Sequence, residues 1–385
     1  MSEALIAPTI LVWARQRANV SLESLAKTLK IKAEKIQAWE QGALKPTFLQ
    51  AQKLAKIFQI PFGYLFLQTP PKEELAIPDL RTFNNETVSE FSPEFKTQLH
   101  SITLKQKWYK DYILENDKEP KSFLQKFTIN DSKELIAKDI FQILNLEHFI
   151  ARSLPKKKFL ALLIEEVEKL DILVMRSGIV GSNTHKSLNI DEFRGFAIYD
   201  KYAPLIFINT NDSLAGQIFT LLHELVHLWI GESGISLLDF QHINNRVELF
   251  CNEITANLLV PQALLAKLWD PDSELEEHYS SLAKIFSVST QVILNRLYTL
   301  NYINFDTYKF YLEVEKEKFI AVQEHIKKTP GGDFYKTLRS KNGTNFSYAL
   351  IISTLEGKTL YKEAATLLNT SAASINKFAK ELSIL

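Results

Sequence analysis

The chain has 385 residues, more than one hydrophobic core of ordinary size organises, so two or three domains are expected. Hydrophobic residues make up 46% and charged residues 23%, which excludes a disordered or fibrous protein, and the single cysteine, Cys251, excludes an intrachain disulfide and cysteine-rich zinc modules. The net charge of zero conceals an imbalance: residues 1–70 carry nine Lys or Arg against four Asp or Glu, the mark of a module that meets something anionic. Every long apolar run is broken by charge or polarity, so neither a membrane span nor a membrane partner is expected. The opening "MSEALIAPTI" lacks a basic region and an adequate apolar stretch, which argues against a secretory signal and for a cytoplasmic location.

In chain order, the first seventy residues read as short successive helices. "SLESLAKTL" (21–29) sets Leu22, Leu25, Ala26 and Leu29 at helical spacing behind a Ser21 N-cap. A second helix spans 32–42 and stops at Gly42, and a third spans 48–58. The polar stretch 68–80, with Pro70, Pro71 and Pro78, reads as a linker. Residues 93–170 are mostly helical. The period then changes: "DILVMR" (171–176), "RGFAIYD" (194–200) and "PLIFIN" (204–209) are short, β-branched or aromatic and bounded by turn residues, so three strands are expected. Helices resume from about residue 212: one over "LLHELVHLWI", a loop containing "GESG", a helix over 246–258, and "PQALLAKLW" with proline at its start. Helices flanking a small sheet make the fold class mainly α with α+β character.

His223 and His227 stand four residues apart, about 40° around a helix axis, so both imidazoles face the same way. Two such nitrogens can share one Zn²⁺, and Glu224 beside the first can take a proton from an attacking water and deliver it to a leaving amine. This is the H-E-x-x-H arrangement of metalloproteases. The flanking Leu221, Leu222, Leu225, Val226, Leu228 and Ile230 bury the helix, and buried imidazoles and a carboxylate need compensation. A catalytic zinc wants a third protein ligand. Glu248 is the candidate, with Asn252 one turn later to brace a histidine. The plainer readings are hydrogen-bonded core histidines and, for Glu248, a solvated charge favoured by the helix N-terminus. His185, His242 and Glu253 are weaker ligand candidates, and Cys251 reads as a buried apolar residue rather than a nucleophile.

"HELVH" followed by "ELFCNEITANLLVP" resembles the ImmA/IrrE metallopeptidases, over roughly 160–300. Thr255 stands where that family usually has alanine, and "PLIFIN" stands where it has an edge strand before the active-site helix. The resemblance implies His223, His227 and Glu248 as Zn²⁺ ligands and Glu224 as the catalytic glutamate. It also implies a protein substrate, a regulator such as a repressor or antitoxin.

Residues 10–67 resemble an Xre/Cro-type helix-turn-helix, through Trp39, Glu40, Gly42, Pro46, Leu54, Ala55 and Leu65. The resemblance implies double-stranded DNA as a partner, with 32–40 as the recognition helix. Lys32, Glu34, Lys35 and Gln37 would then be exposed near its start, Ile36 and Trp39 would face the core, and Arg15, Arg17, Lys27 and Lys45 would serve phosphates. Leu22 replaces a usual glutamine and Lys30 a usual glycine. The segments 282–303 and 363–382 also read as helix, turn, helix, without clustered positive charge, and as core or partner surface.

The expected layout is a helix-turn-helix domain over 1–67, a linker over 68–92, a zincin-like metallopeptidase domain with a helical lead-in over 93–300, and a C-terminal helical extension over 301–385. The expected function is a bacterial, zinc-dependent endopeptidase fused to a DNA-binding domain. The alternatives are a DNA-binding regulator whose metal-bound fold is a sensor or platform without catalysis, and an interaction protein whose first domain only holds a partner.

Overall fold

The computed structural model describes residues 3–18, 20–58, 60–71, 91–236, 246–323 and 332–385. The chain divides into two compact units, one comprising Met1–Ala76 with Glu90–His100, the other Ile77–Ser89 with Ser101–Leu385. Of the expected linker, Pro78 lies outside the described residues, as does His242.

The first unit begins with helices α1 (Pro8–Arg17), α2 (Leu22–Leu29), α3 (Ala33–Glu40) and α4 (Phe48–Phe58), then a short 3₁₀ turn over Phe62–Phe66. Ser21 caps α2 as its side chain accepts the Ser24 N–H at 3.1 Å. Ile10, Leu11, Leu25, Ile36, Trp39, Leu54, Phe58 and Leu65 form the core. Gly42 has φ +76°, a left-handed conformation that glycine adopts without steric cost, and a Cβ there would come within 3.2 Å of Pro8 Cγ. Lys30 accepts the same region without glycine's freedom, at φ +57° in the turn between α2 and α3, a strain of about 1 kcal/mol.

The second unit contains most of α5 (Pro93–Glu115), then α6 (Lys133–Ile143), α7 (Leu146–Ile150) and α8 (Lys156–Lys169). Strands β1 (Leu173–Ser177), β2 (Gly195–Ile198) and β3 (Leu205–Asn209) follow, then α9 (Leu214–Ile230), β4 (Gly234–Ser236), α10 (Arg246–Leu259), α11 (Gln262–Leu268), α12 (Leu275–Ile285) and α13 (Thr290–Thr299). The last helices are α14 (Phe305–Gln323), α15 (Phe334–Asn342), α16 (Thr344–Leu355), α17 (Tyr361–Leu367) and α18 (Ile375–Glu381). The sheet order is β1-β3-β2-β4, with β1 parallel to β3 and the other two pairings antiparallel. The "PLIFIN" strand is therefore interior, not the edge strand expected. All five residues of β3 are buried, the mark of a strand covered on both faces, and three-residue β4, which the sequence reading missed within a loop, takes the edge beyond β2.

Helix α9 is apolar on nearly every side, which makes it a core helix, and every residue from Gln217 to Ile230 is buried. Ser213 caps its N-terminus through the Gly216 N–H at 3.0 Å, and Gly231, φ +76°, ends it with its N–H on the His227 and Leu228 carbonyls. It packs on β2 and β3 and against α8 and α10. Residues 301–385 belong to this same unit. The Thr344 N–H at the start of α16 donates to Glu168 Oε1 at 2.6 Å, buried Lys105 Nζ donates to Asn342 Oδ1 at 2.7 Å, and α15 and α16 pack on β1.

Candidate metal centre

Helical spacing brings Thr220, His223, Glu224 and His227 to one stripe of α9. Helix α10 packs beside it and supplies Glu248 from its first turn and Asn252 one turn later. His223 Nε2 lies 3.1 Å from Glu248 Oε2, His227 Nε2 lies 3.1 Å from Glu248 Oε1, and the two Nε2 atoms are 3.1 Å apart. The imidazoles meet edge to face, 4.9 Å between centroids. His223 and His227 are fully buried, and Glu248 is 2% exposed.

Hydrogen bonds within the protein leave this cluster incomplete. Each neutral imidazole carries one N–H, and neither His223 Nδ1 nor His227 Nδ1 has a partner. With the protons on Nδ1, two Nε2 lone pairs confront a carboxylate at 3.1 Å; with the protons on Nε2, two buried Nδ1 lone pairs are left over. A divalent cation bound through Nε2 resolves the first arrangement by accepting every converging lone pair. Tetrahedral ligands at 2.0–2.1 Å from zinc stand about 3.3 Å from one another, close to what is found here. His223, His227 and Glu248 form the one group among the described residues whose donor atoms all lie within 4.8 Å in this way. The donor set fits a zinc-sized cation.

Electrostatics agree with that fit. Burial lowers the His223 pKa and keeps the ring neutral, the form that ligates, although Glu248 pulls the other way. Burial alone would raise the Glu248 carboxyl, but the two imidazoles outweigh it and hold the group well below the usual carboxylate range. Asn252, 6% exposed, sits close enough to favour the charged form of His223, yet its Oδ1 makes no hydrogen bond of full geometry. Glu224 is fully buried on α9.

Other candidates fall away from the cluster. Glu253 is exposed and ion-paired with Lys133, and His185 is exposed in a turn. Burial pushes the Cys251 thiol far up, with the Glu248 and Glu224 carboxylates adding to it, so it is no nucleophile. Two residues that the sequence reading missed border the site, Thr220 and Gly195. A glycine inside "RGFAIYD" was the available signal, because glycine in a strand marks a close approach.

In the first unit Lys32, Glu34, Lys35 and Gln37 are exposed along α3, with Ile36 and Trp39 buried, and Lys27 and Lys45 are exposed. Arg15 departs from its expected phosphate role. Its Nε and second terminal nitrogen donate to Glu40 at 2.6 and 3.1 Å and its remaining nitrogen to the Val20 carbonyl at 3.2 Å, so three of its five N–H groups are held inside the fold. Arg17 is half-buried, with one nitrogen on the Phe58 carbonyl at 3.3 Å and its head 5.8 Å from the centre of the Trp13 ring.

Three stretches of the chain match known families. Residues 11–65 match the helix-turn-helix family, residues 167–298 match the IrrE N-terminal-like domain of the M78 peptidases, and residues 342–381 match a domain of unknown function, DUF8813. A search of curated proteins finds no match to the chain. The molecule therefore joins an Xre-type helix-turn-helix to an IrrE/ImmA-like peptidase-family domain, in a mainly α fold with one small sheet. No single helix among the described residues is long and apolar enough to cross a membrane.

Proposed function

We propose that the second unit is a zinc-dependent endopeptidase and that the first tethers it to double-stranded DNA, its protein substrate being a regulator of the repressor or antitoxin kind. The observation that carries this reading is the meeting of His223 Nε2, His227 Nε2 and a Glu248 oxygen at 3.1 Å beside a buried Glu224. These three residues would hold the zinc, which when bound supplies Lewis-acid polarisation of a peptide carbonyl and makes water more acidic. Glu224 takes the proton of the attacking water at its carboxylate and returns it to the departing amine nitrogen. Glu248 holds a negative charge between the two imidazoles, and Asn252 braces His223 from the neighbouring turn of α10. The apolar walls of α9 exclude bulk water, which strengthens each of these interactions. In the first unit Lys32, Glu34, Lys35 and Gln37 read base edges, while Lys27, Lys45 and Arg17 meet phosphates.

One observation favours a second reading, a DNA-binding regulator whose metal-bound fold senses or docks without turnover: every polar group of the centre is buried. The two readings part on one experiment. Candidate regulators encoded beside this protein are incubated with the intact chain and with Glu224→Gln, and both proteins are analysed for zinc. Cleavage by the unmodified chain alone, with equal zinc in both, supports the peptidase; equal zinc and cleavage by neither supports the regulator.

A further inference from the structure

Gly195 does not occupy β2 for conformational reasons, since its backbone is not in the positive-φ region. It is paired on both sides, to Ile208 of β3 and Ser236 of β4, where a glycine weakens a sheet. What it provides is room. A Cβ at this position would lie 2.4 Å from Thr220 Cγ2, 2.9 Å from the Phe207 carbonyl oxygen and 3.2 Å from Glu224 Oε1. The Phe207 oxygen belongs to the backbone of an interior strand and cannot give way. Thr220 is stiff about χ1, being β-branched and fully buried. Buried helical threonines elsewhere in this unit bond back to the preceding turn, as Thr255 does to the Cys251 carbonyl at 2.8 Å and Thr354 to the Leu350 carbonyl at 2.6 Å. The Thr220 hydroxyl has no hydrogen-bond partner, so its rotamer follows from the methyl packed on Gly195.

We propose that Gly195 and Thr220 are positioning residues which together form the seat of the Glu224 carboxylate, an inference that rests on the metallopeptidase reading. Thr220 precedes Glu224 by one helical turn on the same stripe of α9. Its methyl and the bare Cα of Gly195 leave a gap of glycine size, and Glu224 Oε1 lies at its rim. A side chain at 195 must displace the Thr220 methyl and crowd the carboxylate. The ligand atoms of His223 and His227 point to Glu248 on α10, so the metal-binding atoms do not depend on that gap.

The test uses the full-length chain loaded with cobalt(II), whose visible spectrum responds to the groups around the ion. Unmodified protein, Gly195→Ala, Thr220→Ser and the double variant should each bind one cobalt per chain. Gly195→Ala should shift the visible band in the manner of Glu224→Gln. Thr220→Ser removes the methyl nearest the added Cβ but not the Phe207 carbonyl, so the double variant should recover part of the unmodified spectrum. An unshifted band in Gly195→Ala, or a shift that Thr220→Ser leaves in place, overturns the seat. If Gly195→Ala does not fold, recovery of fold and spectrum in the double variant supports the proposal and its failure overturns it. Absence of cobalt from the unmodified chain would instead remove the metallopeptidase reading, and this inference with it.

Discussion

Glu40, half-buried, and Glu248, buried, are both glutamates held by basic partners, and the two regions use the same chemistry to opposite ends. In the helix-turn-helix, Glu40 receives two N–H groups from Arg15, whose third nitrogen goes to a backbone carbonyl. Both Glu40 oxygens have a donor, and the pair is a brace across residues 25 apart. Between α9 and α10, Glu248 meets two imidazoles whose opposite nitrogens have no partner, so in either tautomer the pair of rings keeps buried nitrogens that the protein does not satisfy. A buried polar group whose partners are complete stabilises a fold; one whose partners are incomplete waits for a ligand.

The sharpest way to break this contrast is at Glu224, whose proposed role is chemical rather than structural. Glu224→Gln should lower cleavage of the identified substrate by about 10²–10⁴-fold while zinc content and thermal midpoint stay near those of the unmodified protein. A midpoint that falls with the activity would make Glu224 a structural residue. Next in size is the ligand set. Glu248→Ala should lower zinc affinity at least about 100-fold, more than loss of a group that only orients a ligand, whereas Glu253→Ala, which severs a surface pair with Lys133, should leave it unchanged. Equal loss in both would remove Glu248 from the centre.

Arg15→Met tests the other side of the comparison. Leaving half-buried Glu40 without its partner should destabilise the first unit by about 1 kcal/mol, read from urea unfolding. Among molecules that remain folded, the salt dependence of DNA binding should keep the slope of the unmodified protein, whereas Lys45→Ala should reduce it. A reduced slope in Arg15→Met would return that residue to the phosphates. A third buried charge, Lys105, lies outside both regions. Burial, with Lys341 adding to it, brings its pKa down to about 7, below an unfolded value of about 10.4. Between those values the unfolded chain binds the extra proton, so stability should rise with pH from about 7 to 10 and be lost as pH falls through about 7. Lys105→Met should flatten that rise, as followed by urea midpoints across the range. The smallest effect expected is a gain: Lys30→Gly should stabilise the first unit by up to about 1 kcal/mol by relieving a left-handed lysine.

Local pattern carried much of this molecule. The four-residue spacing of His223 and His227 and the apolar residues around them announce a buried helix with both imidazoles on one side. Glu248 and Asn252 stand out by the same rule, and the buried Ile36 and Trp39 and exposed Lys35 and Gln37 follow from the period of α3. What escaped depends on tertiary partners. Nothing local pairs Arg15 with Glu40, so a basic residue at the end of α1 read as a phosphate ligand. Strand β3 read as an edge because Gly234–Ser236 is too short to show a strand period, and its pairing with β2 is what moves the edge outward. Gly195 carried a signal, but the reason for it, a helix at close range, exists only in the packed structure.

The most direct measurement is zinc titration of the purified, metal-stripped full-length chain by calorimetry, beside the His223→Ala, His227→Ala and Glu248→Ala variants. One tight site per chain is expected in the unmodified protein, with its loss in all three variants. No binding by the unmodified chain, or binding that survives all three replacements, would contradict it.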